Sequence, residues 1–217
     1  MNLRYQLKSN KTTFLRIFII STFFIGCVLL LNKWKGIPIG SMTRDITTTA
    51  GVEIYVGFFS QVGFFFWIAA ATLCMFTSFI NHKSRGNIIF TEFLFLFGLL
   101  TLLLCLDDMF LLHESVFPYI FGIPQKGVFM VYGILIFFIL LRYYQIILKT
   151  NYIILAMSFI FFAISISLDV IHPPNLNPYL MEDSVKMFGI VSWFFYFYSN
   201  ATSIVSNLTT ANKNSTI

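Results

Sequence analysis

The sequence predicts an all-α, polytopic membrane protein, a single bundle of six transmembrane helices, and three observations lead there. Of the 217 residues, 58% are hydrophobic and 11% charged, about half the charged share of an ordinary soluble domain, and the mean hydropathy is +0.82. The apolar residues fall into six long runs, each near the roughly 20 residues that cross a hydrocarbon core of about 30 Å. The runs are continuous and lack the period-two alternation of an outer-membrane β-barrel.

Residues 1–13 form a polar N-terminal segment, and residues 14–31 are the first span. A basic start before an apolar run has the outline of a secretory signal. Here the run is too long, and Asn32-Lys33-Trp34-Lys35 offers no small-residue cleavage site, so the helix is read as retained, with Trp34 at an interface. Residues 36–53 are a polar loop with Pro38 and a threonine run. Residues 55–80 are the second span, followed by a short basic turn in which His82 is a solvated loop histidine. The third span starts at Ile88 and stays apolar, Glu92 apart, to Leu106, where Asp107, Asp108, His113 and Glu114 follow.

Residues 115–126 contain Pro118, Gly122 and Pro124, which mark turns around a short aromatic piece along the membrane surface. Residues 127–148 are the fourth span, with Arg142 reaching to the interface by snorkelling. The fifth, residues 152–171, ends in Asp169 and His172 and is stopped by Pro173-Pro174. Glu182 and Asp183 open the sixth span, which runs to about Val205. The domain thus covers residues 14–205, and 206–217 form a polar tail read as disordered. Asn200, Asn207 and Asn214 each begin an Asn-X-Ser/Thr triplet, which matters only if that end reaches a secretory lumen.

Six spans put both termini on one side. Arg4, Lys8, Lys11, Arg16, Lys83, Arg85, Arg142, Lys149 and Lys213 fall there, whereas eight of the nine acids fall on the other, Glu92 being the exception. The positive-inside rule then makes the termini cytoplasmic, in a plasma or inner membrane, and points the acid-histidine ends outward. The net charge of +5 is spread over short loops beside apolar runs, so it reports topology and argues against nucleic acid as a partner. The expected partner is the lipid bilayer, with a lipid or lipid-linked substrate.

Spans three, five and six each end on the outer side in ionisable groups. The candidate acid-base residues are Asp107, Asp108, His113, Glu114, Asp169, His172, Glu182, Asp183 and Lys186. Carboxylates in the outer hydrocarbon layer cost a few kcal/mol unless they are paired, protonated or turned into a cavity. On an uninterrupted helix Asp107 and Glu114 share a face while Asp108 and His113 point elsewhere, so convergence needs several helices. A blander reading stands beside this one: a helix ending near Leu106 leaves a solvated cap, and Glu182 and Asp183 suit the start of a helix by its dipole and by the Glu182 to Lys186 spacing.

Asp108, His113 and His172 are ligand types for a divalent ion such as zinc, but no HExxH is present, since Ser, Val, Phe and Pro follow His113-Glu114. Cys27, Cys74 and Cys105 are isolated in apolar segments and show no ligand spacing. There is no phosphate loop, nucleophile elbow or CxxC, and Lys186 sits at the mouth of a span, not at a helix centre. Three functions remain: a membrane-embedded hydrolase of a lipid or lipid-linked substrate, a transporter or proton-relay component, and a structural or assembly subunit. In the last, the cluster is an interhelical clasp with Lys186 paired to Glu182, Asp183 or Asp169. The scarcity of polar residues in the inner halves of the spans, Gln61 and Glu92 apart, weighs against the transporter.

Overall fold

The structure, a computed structural model, describes residues 10–171 and 178–214, so His172 lies outside the described residues. Among them all regular structure is helical. The chain divides into two compact units, residues 1–58 and 59–217.

The first unit contains helix α1 (Lys11–Lys35), an apolar rod with no residue buried. It ends at Gly36, whose φ of +67° takes the left-handed conformation that glycine tolerates best, and Lys33 and Lys35 face the negative end of the helix dipole. The expected loop after it holds two single-turn helices, α2 (Ile39–Thr43) and α3 (Ile46–Ala50). Asp45 caps α3, its Oδ1 accepting from the backbone N–H of Thr48 at 2.7 Å and the hydroxyl of Thr47 at 2.9 Å. Hydrogen bonds from Thr48, side chain then backbone, and from Thr47 hold this exposed carboxyl down at about 2.

The second unit contains α4 (Phe58–Lys83), which its first residue joins to the preceding unit, then α5 (Ile88–Phe110), α6 (Phe117–Phe121), α7 (Gln125–Ile147), α8 (Tyr152–Ile171) and α9 (Pro178–Asn214). Hydrogen bonds fix their antiparallel order. Ser78 of α4 donates to the Thr91 carbonyl at the start of α5, and Tyr132 of α7 reaches Asp107 at the end of α5. Gln125 at the start of α7 donates to Asp169 at the end of α8, and Asn151, just before α8, donates to Ser199 in the C-terminal half of α9. All ends that carry candidate acids therefore lie at one end of this unit.

Its core is aromatic, with Phe93 and Phe97 of α5 against Trp193 and Phe197 of α9. The Trp193 indole N–H donates to Thr101 Oγ1 at 2.9 Å, and Ser158 donates to the Gly189 carbonyl at 2.7 Å. Two glycines permit the close approach of helices. A Cβ on Gly98 would stand 2.7 Å from Met75 Cγ, and one on Gly189 would stand 2.6 Å from the Phe162 ring.

Among the described residues five helices are long and apolar enough to cross a membrane: α1, α4, α5, α7 and α8. The expected sixth span, α9, is not among them. The physical reason is its place: it supplies Ser192, Trp193, Tyr196 and Asn200 to the buried interior, where neighbouring helices cover them and polar side chains with partners are admitted. Its helix also continues to Asn214, beyond the expected end near Val205 and through most of the stretch read as a disordered tail.

Candidate functional site

The site is built around the place where α5 stops. Its last residues are followed by Leu111, whose φ of +51° is left-handed and whose N–H bonds the Asp107 carbonyl. A leucine in that conformation costs roughly 1–2 kcal/mol, and the reversal starts a wide turn, Leu112–Val116. The turn brings His113 back beneath the helix end. His113 therefore does not point away from Asp107, as an uninterrupted helix requires; the break at Leu111 overturns that expectation.

Asp107 is 5% exposed and fully engaged. Its Oδ1 accepts from the His113 backbone N–H at 3.0 Å and from the Tyr132 hydroxyl at 2.9 Å, and its Oδ2 lies 2.5 Å from His113 Nδ1. The imidazole also lies against Phe129, with ring centroids 4.8 Å apart. With Nδ1 directed at the carboxylate, the second ring nitrogen, Nε2, is the basic one, and among the described residues it has no hydrogen-bond partner.

Asp108 turns the other way and forms an ion pair with Lys186 of α9. The partner of Lys186 is thus on α5, which corrects the expected pairing with Glu182, Asp183 or Asp169. Those acids stand around the pair: Asp183 is in electrostatic reach of Lys186 and Asp108, and Glu182 of Asp169, Lys186 and Glu114. Asp169 accepts from Gln125 Nε2 at 3.0 Å. Every candidate except His172, which is not described, belongs to this assembly, with Glu114 on its exposed rim.

Two further residues escaped the sequence reading. Tyr132 and Gln125 lie seven positions apart and so on one face of α7; that spacing, at the start of the fourth span and on its acid side, was the available sign. Among the described residues no three His, Cys, Asp or Glu side chains are grouped to hold a metal. Of the proposed ligands, Asp108 is committed to Lys186 and His113 Nδ1 to Asp107, while His172 is undescribed.

Local energetics do not explain why acids sit here. Asp107 and Asp108 occupy the last turn of α5, where the helix dipole disfavours negative charge, and Glu182 and Asp183 are the fifth and sixth residues of α9, beyond the first turn in which it would favour them. The α5 pair sits against the dipole preference of its own helix and is compensated by His113 of the following turn, Tyr132 of α7 and Lys186 of α9.

Residues 18–200 match the model of the family described as Domain of unknown function (DUF8692), a stretch running from within α1 into the C-terminal half of α9. No curated protein and no solved structure matches the chain.

Proposed function

We propose that this chain, which belongs to the family described as Domain of unknown function (DUF8692), is a six-span integral membrane protein that hydrolyses a lipid or lipid-linked ester at the Asp107–His113 centre. The sixth span is α9, entering the bilayer within the bundle. The basic residues near the α4–α5 turn and at the end of α7 support cytoplasmic termini and an outward-facing centre in a plasma or inner membrane.

One observation carries the reading: a buried carboxylate, itself held by Tyr132, orients an imidazole through Nδ1 and leaves Nε2 unpaired at the meeting point of helix ends. This is the arrangement of a general base supported by an orienting acid. Water gives a proton to Nε2 as its oxygen bonds to the ester carbonyl carbon. The imidazolium, stabilised by Asp107, then returns that proton to the leaving alcohol as the carbon–oxygen bond breaks.

The decisive assay uses the purified full-length protein in detergent with a panel of short-chain lipid esters, following acid release. His113→Ala and Asp107→Asn should lower turnover by about 100-fold or more while the protein accumulates normally. Undiminished turnover in His113→Ala sinks the reading. A second reading, the interhelical clasp, is favoured by the Asp108–Lys186 pair and predicts loss of accumulation without any turnover to lose. A proton relay has less support, because Thr101, Ser158 and Trp193, which lie deeper in the core, are hydrogen-bonded within it.

A further inference from the structure

At the other end of the second unit, where α4 turns into α5 and α7 into α8, a cavity of about 400 Å³ opens against the C-terminal half of α9. That volume lies within the range of small-molecule sites. Five asparagines, three hydroxyl residues and Lys149 line it, and among the described residues no carboxylate does.

Its floor is fixed by bonds within the protein. Asn81 donates to the Asn87 carbonyl at 3.1 Å and to Thr91 Oγ1 at 2.9 Å, Thr150 and Tyr196 share a hydrogen bond at 2.8 Å, and Asn200 donates to the Tyr196 carbonyl at 2.8 Å. The rim differs. Asn87 spends its side-chain oxygen on the N–H groups of Ile89 and Phe90, which leaves its amide NH₂ without a partner among the described residues. Lys149 Nζ and the Ser203 hydroxyl are equally without one among those residues. A rim of donors and one cation, with no acid to compete, suits an anion carrying several acceptor oxygens. Lys83 and Arg85, beside the turn that supplies Asn87, add to the positive field. Phe90 and Ile204 give the wall an apolar part.

We propose that this cavity binds a phosphate ester, with Lys149 meeting its charge and Asn87 and Ser203 donating to its oxygens. Such a group comes from a phospholipid headgroup or from a free phosphate compound. The site is separate from the Asp107–His113 centre and does not depend on it.

The test uses the full-length protein in neutral detergent, with binding read by native mass spectrometry and thermal shift. The probes are dihexanoyl phosphatidic acid, inorganic phosphate and, as the uncharged control, dihexanoylglycerol. Saturable one-to-one binding of phosphatidic acid is expected, at least about tenfold weaker in Lys149→Gln and unchanged in His113→Ala. Binding of phosphatidic acid alone identifies the lipid source, and equal binding of inorganic phosphate identifies the free one. The proposal is overturned if neither phosphate probe saturates, if dihexanoylglycerol binds as well, or if Lys149→Gln binds like the parent. Should Lys149→Gln fail to accumulate, the exposed Ser203→Ala decides: about threefold weaker binding supports the site, and unchanged binding removes it.

Discussion

The two ends of the second unit are closed by different chemistry. At one, ionisable groups from α5, α9 and the wide turn meet in pairs: Asp107 with His113, Asp108 with Lys186. At the other, the interior is tied by neutral hydrogen bonds among amides and hydroxyls of Asn81, Thr91, Thr150 and Asn200, and the ion pair found there, Arg142 with Glu92 at 3.5 Å, is exposed to its surroundings. Neutral closure loses one bond when one partner is removed. Charged closure also leaves an uncompensated ion behind, so the same type of truncation costs more there. A fold that needed only to be tied together had the neutral solution at hand and used it at one end. The charged solution at the other end is consistent with the chemical role proposed above.

The largest effect that follows concerns the charged end. Asp108→Ala removes the ion-pair partner of Lys186, leaving Asp183 and Glu182 as its nearest acids, and should lower stability by about 2 kcal/mol; thermal unfolding in detergent measures it. Adding Lys186→Met should restore most of the loss, and equal stability of single and double variants would erase the contrast. Between the two ends, Trp193→Phe removes the buried bond to Thr101 and should cost about 1–2 kcal/mol by the same assay, the scale for a neutral bond.

Next comes the left-handed leucine. Leu111→Gly should gain roughly 1 kcal/mol by relieving the backbone while lowering any turnover, because the chain no longer has one way to present His113. A gain in both would break the link between that turn and the site. The smallest effect belongs to Asp45, an exposed carboxylate that caps a single turn. Its folded value of about 2 lies below its ordinary 3.8, so its contribution is present above 3.8 and fades as pH falls toward 2. The protection factor of the Thr48 amide, its exchange rate corrected for the intrinsic pH dependence, should fall as pH drops across that window and should not do so in Asp45→Asn.

Most of the architecture was legible in the sequence because long apolar runs and their charged ends are local properties. The runs of α1, α4, α5, α7 and α8 could be read residue by residue, and within the second unit the alternation of basic and acidic ends agrees with the antiparallel order of the helices. What escaped depends on the chain's surroundings or on a single dihedral. The sign of φ at Leu111 decides whether His113 meets Asp107, and leucine does not announce a left-handed conformation as glycine does. The choice of Asp108 over nearer acids by Lys186 is set by how α5 and α9 lie together, which spacing along one helix does not contain. The glycosylation triplet at Asn200 likewise loses its meaning only in three dimensions, where that side chain is buried and donates to the Tyr196 carbonyl.

Among the long helices, α9, which packs against α5 through Trp193 and Phe197, is the one whose composition is least suited to dissolving in lipid. In the proposed arrangement it cannot partition by itself as the ribosome delivers it; earlier segments must be held nearby until it emerges, and biogenesis acquires an obligatory order. Reporter fusions that display α9 apart from its predecessors should misreport its orientation, and mutations that weaken its aromatic seam with α5 should surface first as defects of insertion.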